Sequence, residues 1–258
     1  MKKQRKLYNM LSVDIRRMFI SRLTYIMLAI ALVCPVLILV MTTMMDGTVT
    51  VNPETGVETE IQAFDSVWQA ISTPSNAPMG MDLTGMCNMN LMYFAAAVWV
   101  CLFVSEDFRS GYAKNIFAIR PKKTAYVASK TLVCLLGGTL LIFCWLVGSL
   151  VGGAVAGLPF DTMGASIFNI VMCIVSKVAL MAVFVPIALI ISLGAKHKAW
   201  LSICCSLGGG MLLFMMIPML TPLDAGVMNA VLCLAGGAMF SFGLGAFGKM
   251  ILNKTALV

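Results

Sequence analysis

Six stretches of this sequence are long and apolar enough to cross a lipid bilayer as helices. The hydrocarbon core of a bilayer needs about 20 helical residues, because each residue advances the helix by about 1.5 Å. Of the charged residues, Lys177 alone interrupts one of these stretches. The sequence therefore predicts an all-α integral membrane protein, with one transmembrane domain over 1–258. Its six predicted spans are 24–45, 83–105, 131–157, 163–195, 199–221 and 226–248.

The composition excludes most other classes of protein. The chain is 60% hydrophobic and 11% charged, whereas soluble domains are about 45–50% apolar and about 25% charged. A soluble globule of 258 residues has no means of burying so much apolar surface. This excludes a soluble enzyme, a nucleic-acid-binding domain and a disordered tail. The nine cysteines lie mostly within apolar runs, which indicates small buried side chains rather than disulfides or metal ligands.

The charged residues between the spans separate by sign. Every lysine and arginine except Lys177 falls on one side of the predicted membrane. Eight of the eleven acidic residues fall on the other side: Asp46, Glu54, Glu58, Glu60, Asp65, Asp82, Asp161 and Asp224. Because basic loops remain in the cytoplasm, both termini are predicted to be cytoplasmic.

Residues 1–22 are predicted to form an amphipathic helix in the inner membrane interface. Apolar residues recur there at helical spacing, and Lys6, Asp14, Arg16 and Arg17 are expected on the polar face, near anionic lipid headgroups. A basic flank that only sets the orientation of the first span is the alternative.

The external loop, 47–81, is the longest predicted segment outside the membrane. Ile61, Phe64, Val67, Trp68 and Ile71 have helical spacing, which predicts a short helix on the outer leaflet or across the end of the bundle. Methionines between 79 and 92 are interpreted as flexible core filler rather than copper ligands, so no metal site is predicted.

The cytoplasmic loop, 106–130, has the most specific pattern. Glu106 and Asp107 are expected to end one span, and Gly111 permits a sharp reversal. A short helix should follow from Lys114 and stop at Arg120-Pro121. Thr124 is expected to cap the next helix, and Lys130 to emerge among the headgroups. An ordinary basic connector is the alternative interpretation.

This loop resembles that of the ABC-2 family of transporter permeases. The matching residues are Glu106, Gly111, Lys114, Pro121, Lys123, Ser129 and Lys130, although Lys122-Lys123-Thr124 stands where the family often has Ser-Arg. The resemblance implies a half-transporter in the plasma membrane of a prokaryote. It would pair with a second permease chain, identical or homologous, and with a cytosolic ATPase.

The resemblance also implies which residues contact the ATPase. These are Glu106, Arg109, Gly111, Lys114, Arg120, Pro121, Lys122 and Lys123. The chain has no G-x-x-x-x-G-K-[ST] phosphate loop, so it is not expected to be an enzyme or to bind a cofactor. ATP and Mg²⁺ would belong to the partner ATPase.

Lys177 is anomalous, because a cation within a span costs about 2.5–3.5 kcal/mol on insertion scales. It either lines a hydrated pathway and meets an anionic group, or reaches an interface for structural reasons. Asn88, Asn90 and Tyr93 are the other candidates for a substrate pathway, and bonds between helices are their alternative role.

The leading functional prediction is therefore ATP-driven export of an amphipathic or hydrophobic substrate. By analogy with similar small permeases, antimicrobial or cytolytic peptides are candidate cargo. An ion-gradient transporter would usually have intramembrane acids and paired broken helices, and an intramembrane enzyme would need convergent His, Asp or Glu. The sequence has neither pattern. A membrane scaffold without transport activity stays open.

Overall fold

The structure is a computed structural model that describes residues 2–51, 58–60, 63–75, 87–119, 123–196, 198–214 and 216–254. The helices in these ranges are α1 (Lys2–Ile20), α2 (Arg22–Met44), α3 (Leu91–Arg109), α4 (Tyr112–Ile119), α5 (Thr124–Ala156), α6 (Ile167–Ala195), α7 (Ala199–Phe214), α8 (Ile217–Leu220) and α9 (Val227–Lys254). A 3-10 helix covers Val67–Ala70. Two short antiparallel strands are β1 (Val49–Val51) and β2 (Glu58–Glu60).

Helices α3, α5 and α6 form the centre of the bundle. Each of the three contacts the other two, while α2 packs on α5, α9 packs mainly on α6, and α7 packs on α3 and α6. Trp99 and Trp145 are among the largest fully buried side chains of this core. The outer faces of α2 and α9 expose many apolar side chains, as expected of helices that face lipid.

Among the described residues, five helices are long and apolar enough to cross a membrane: α2, α3, α5, α6 and α9. The described part of the chain is thus mainly helical, with one small hairpin and with several segments able to span a bilayer. The predicted span 199–221 differs, because it contains the 16-residue helix α7 and then the short helix α8. Pro218, in the first turn of α8, lacks the amide hydrogen that a continuous helix would require there.

Gly148 and Gly152 bring α2 and α5 into close contact. A Cβ atom on Gly148 would lie 2.2 Å from the Leu32 carbonyl oxygen, and one on Gly152 would lie 2.7 Å from the Val36 Cα atom. No larger side chain fits at either position without moving backbone. Close approach of this kind is how membrane helices gain dispersion contacts without a hydrophobic driving force between them.

The two ends of the bundle differ in charge. At the basic end, Arg22, Arg109, Lys114, Lys198 and Lys249 are exposed near the ends of their helices. At the acidic end, the acids that are exposed among the described side chains are Asp46, Asp65, Asp161 and Asp224. Helices α7 and α8 together reach both ends. Ala199 lines a cavity with Arg17 and Glu106, whereas the carbonyl of Thr221, directly after α8, accepts a hydrogen bond from Ser72.

The segment 63–75 covers the acidic end. Phe64, Val67 and Ile71 are buried, and the Trp145 indole nitrogen donates to the Ala70 carbonyl oxygen at 3.0 Å. The helical spacing predicted a helix here, but the described part contains a single 3-10 turn. It begins where the Ser66 hydroxyl accepts from the Trp68 amide. Ile61 lies outside the described residues.

Several predicted boundaries change at the basic end. Helix α3 continues to Arg109, so Glu106 and Asp107 lie in its last turn, as expected of residues that end the span, and the predicted loop begins after 109 rather than at 106. Helix α5 begins at Thr124, which is its first residue and makes no side-chain cap, because Lys123 holds the capping position. The predicted loop 106–130 is therefore shorter than expected. The start of the predicted span at 83 lies outside the described residues, and α3 itself begins at Leu91.

Candidate functional site

Four charged residues meet between α1, α3 and α5 at the basic end, and we call them the charge cluster: Asp14, Arg17, Asp107 and Lys130. Lys130 Nζ lies 2.9 Å from Asp14 Oδ1 and 2.7 Å from Asp107 Oδ2. Both distances are those of ion pairs, but the angles between the amine and the carboxylates are not those of hydrogen bonds. Arg17 Nη1 donates to Asp107 Oδ1 at 2.7 Å. Two acids and two bases balance, so the cluster has no formal net charge.

Three hydroxyl groups complete the contacts of the two carboxylates. Ser129 donates to Asp14 Oδ2 at 2.6 Å, and Tyr126 donates to Asp107 Oδ2 at 2.7 Å. The Tyr112 hydroxyl lies 3.4 Å from Asp14 Oδ1. Buried charges are tolerated in proteins when they are both paired and hydrogen-bonded, and each carboxylate here meets that requirement.

The members of the charge cluster differ in how far their side chains are buried. The side chains of Asp14, Asp107 and Lys130 are fully buried, whereas that of Arg17 is 28% exposed. Burial disfavours the Arg17 cation, but the charge and hydrogen bond of Asp107 outweigh this and raise the pKa of Arg17. Desolvation, and then the neighbouring Asp14 carboxylate, raise the pKa of Tyr112 to about 12.

The cluster corrects two sequence predictions. Asp14 lies on the buried face of α1, between Met10 and Met18, instead of on a polar face. Asn9, Ser12 and Arg16 are exposed on the other faces of that helix, and the side chain of Lys6 lies outside the described part of the structure. Lys130 does not emerge among headgroups; it is buried two turns into α5.

Helix α4 holds part of the predicted coupling surface. Gly111 has φ = 73°, the left-handed conformation that the expected reversal requires and that glycine adopts without strain. Ala113 and Phe117 of α4 are buried, and the Phe117 ring meets the Tyr126 ring edge-on at 5.0 Å. Arg17 lies over the Tyr112 ring at 3.8 Å. One face of α4 thus rests on the charge cluster and α5.

The predicted coupling residues fall into three groups. Glu106, Arg109 and Lys114 are exposed around the turn at Gly111. Lys123 is half-buried, and its amine donates to the Leu252 carbonyl oxygen of α9. Arg120, Pro121 and Lys122 lie outside the described residues.

A second polar cluster lies near the acidic end, around the fully buried Lys177. Lys177 Nζ donates to Asn90 Oδ1 at 2.6 Å and to Thr221 Oγ1 at 3.1 Å. The Tyr93 hydroxyl donates to the Lys177 carbonyl oxygen at 3.0 Å, and Asn88 is also buried. Three of the predicted pathway residues are therefore in direct contact, and sequence reasoning did not identify Thr221 as their partner.

The lysine side chain reaches toward the acidic end. Lys177 lies ten residues into α6, about 15 Å along its axis. The two oxygen atoms that accept hydrogen bonds from its amine, however, belong to Asn90, which immediately precedes α3, and to Thr221, which immediately follows α8. In the described part of the chain, no carboxylate lies within ion-pairing distance of Lys177.

These features define a helical protein with several segments able to span a membrane and with its ionised groups concentrated at the two ends. None of the known protein families, curated proteins or solved structures compared with this chain matches it.

Proposed function

We propose that this chain is the membrane-spanning permease subunit of an ATP-driven exporter of the ABC-2 type. Two permease chains would form the pathway, and a separate cytosolic ATPase would drive it in the plasma membrane of a prokaryote. The chain would cross the membrane six times with both termini in the cytoplasm, α7 and α8 together making the fifth crossing. Its cargo would be amphipathic or hydrophobic, with antimicrobial or cytolytic peptides as the first candidates.

The observation that carries this proposal is the attachment of α4 to the charge cluster. Tyr112 lies against both Asp14 and Arg17 of α1, so a force applied to α4 reaches α1 directly and reaches α3 and α5 through the ion pairs of the charge cluster. The opposite face of α4 exposes Lys114 and Asn115 at the basic end. A short helix with one anchored face and one exposed polar face suits a protein that receives mechanical work from a cytosolic partner.

The experiment that tests this proposal is purification of the tagged chain from its native membranes in mild detergent, with mass spectrometry and an ATPase assay. A stoichiometric P-loop ATPase, stimulated by candidate peptides, is the expected result. A chain that purifies without an ATPase even after crosslinking would contradict the proposal. An ion-gradient transporter or a scaffold would then be favoured, and flux into proteoliposomes under an ion gradient separates those two.

The coupling surface is tested by Lys114→Glu with Lys249→Glu as its matched control. Both lysines are exposed at the basic end, on α4 and α9 respectively, and both variants change the charge equally. Reversing a charge at an interface opposes the partner's complementary charge, so Lys114→Glu should reduce ATPase recovery by about tenfold or more. Lys249→Glu should change the recovery of the ATPase by less than about twofold relative to the wild type. Equal recovery with the two variants would remove α4 from the coupling surface.

A further inference from the structure

A cavity of about 370 Å³ lies beside the charge cluster, where the junction of α1 and α2, the last turns of α3 and the start of α7 meet. Three arginines line it: Arg17, Arg22 and Arg109. The chain breaks from α1 to α2 at Ser21, which has an extended backbone and also lines the cavity. Arginines from three helices therefore converge on one space.

The arginines are available to a ligand to different degrees. Arg17 is held in place by its bond to Asp107 and by the Tyr112 ring, yet its side chain stays 28% exposed. A guanidinium has five N–H donors, so the Asp107 bond through Nη1 leaves others free to bind. Arg22 and Arg109 are exposed, and neither forms an ion pair with a carboxylate among the described residues.

Ser105 also contributes a hydroxyl group to this site. Its side chain is buried and lines the same cavity. Its hydroxyl oxygen has no hydrogen-bond partner within the part of the chain that the structure describes. Buried hydroxyls are nearly always paired in native proteins, so an orphan one in the wall of a basic cavity indicates a missing polar ligand.

The remaining walls define the ligand further. Leu23 of α2 and Leu102 and Phe103 of α3 line the cavity with apolar side chains, on helices that are long and apolar enough to cross a membrane. Glu106 is the acid in the lining, and it is exposed. Three cations and one carboxylate leave an excess of positive charge beside an apolar wall. This combination matches a headgroup with an attached hydrocarbon chain better than it matches a free anion.

We propose that this cavity binds a phosphate-type oxyanion, supplied by the headgroup of an anionic phospholipid. Arg22 and Arg109 would bind the phosphate oxygens from two sides, and Arg17 and Ser105 would donate from the wall, since guanidinium groups suit phosphate geometry. The acyl chains would lie along Leu23 and Phe103. This inference does not depend on a partner ATPase.

The test uses the full-length chain, delipidated in a neutral detergent, with bound lipid counted by native mass spectrometry. The probes are short-chain phosphatidylglycerol, phosphatidylcholine and inorganic phosphate, at constant ionic strength. We expect one tightly bound phosphatidylglycerol per chain. Phosphatidylcholine should bind at least about tenfold more weakly, because its choline cation opposes the arginines. Saturation by inorganic phosphate without preferential lipid binding would support the oxyanion site and overturn the lipid as its source.

The matched variants are Arg22→Gln/Arg109→Gln and the control Arg16→Gln/Lys249→Gln, which removes two exposed cations from elsewhere at the same end. The first should weaken phosphatidylglycerol binding by about tenfold or more, because two charge-assisted bonds are lost. The control should change it less than about twofold. Equal losses would indicate general charge attraction and overturn the site.

Glu106→Gln keeps the proposal testable if the arginine variant does not fold. The substitution is nearly isosteric at an exposed position and removes the negative charge that competes with the ligand. Affinity for phosphatidylglycerol should therefore rise about three- to tenfold at low salt. An unchanged or lower affinity would overturn the site.

Discussion

Lys130 and Lys177, the two lysines that are fully buried in the described part of the chain, have opposite environments. Lys130 lies between two buried carboxylates, each with its own hydroxyl donors, whereas Lys177 contacts an amide oxygen and a hydroxyl. Removing Lys130 would leave a surplus of buried negative charge, but removing Lys177 would leave only neutral groups. Burial alone therefore does not determine how much stability depends on a charge. The charged and polar groups that are left without a partner after its removal determine it.

The largest loss of stability is expected for Lys130→Met. Loss of one partner from a buried ion pair costs about 3–5 kcal/mol, because the remaining charge is left uncompensated. At about 2–4 °C per kcal/mol for a domain of this size, the apparent melting temperature in detergent should fall by about 10 °C. Lys249→Met, which removes an exposed lysine, is the control. A similar small shift for both variants would show that the charge cluster contributes little to stability.

A second substitution should partly reverse that loss. In Asp14→Asn/Lys130→Met, Arg17 still pairs with Asp107, and the acid left without a partner by the first change is neutralised. We expect the double variant to be about 1–2 kcal/mol more stable than Lys130→Met, because asparagine in place of Asp14 removes the unpaired buried charge. Thermal unfolding of the four members of the mutant cycle measures this difference, and it also gives the coupling energy, which is the departure of the double variant from the sum of the two single changes. Strict additivity would argue against a direct interaction between Asp14 and Lys130.

At the acidic end, Tyr93→Phe should have a smaller effect. The change removes the hydrogen bond to the Lys177 carbonyl oxygen but keeps the ring, which stacks on Phe184 at 4.7 Å. A typical intramolecular hydrogen bond contributes about 0.5–1.5 kcal/mol, so a loss of about 1 kcal/mol is expected. Tyr25→Phe, at an exposed position of α2, serves as the reference and should not change stability.

The smallest change in stability is expected for Lys177→Met. The variant loses two hydrogen bonds but also relieves the cost of burying a cation without a counter-charge, so stability should stay within about 1 kcal/mol of the wild type. If the proposed pathway role is correct, transport into vesicles should change more than stability does. Unchanged transport together with unchanged stability would assign Lys177 a structural role.

The parts of the fold that follow from local pattern were predictable from the sequence. Long apolar stretches predicted the five helices that are able to span a membrane, and Gly111 predicted the reversal before α4. The span 199–221 was less predictable, because its composition conceals the break before Pro218. Apolar content measures how readily a segment enters lipid, and it does not record where a helix must restart.

The charge cluster was missed because its members are far apart in the chain. Arg17 and Asp107 are separated by 90 residues, and each of the four lies near a helix end, where solvent or headgroup contact is the usual expectation. One signal was available. Asp14 lies four residues from Met10 and four from Met18, which places it on the apolar face of α1. An acid in such a position needs a buried basic partner.

The charge cluster also has a consequence for biosynthesis. The ribosome delivers Asp14 first, Asp107 much later and Lys130 last, so both carboxylates exist before the lysine that lies between them. Until α5 is made, neither acid has its full set of partners, and α1 lacks the ion pair and the hydrogen bond that join it to α5. A nascent chain truncated after α3 can already pair Arg17 with Asp107, but it presents Asp14 without the cation that neutralises it in the complete chain.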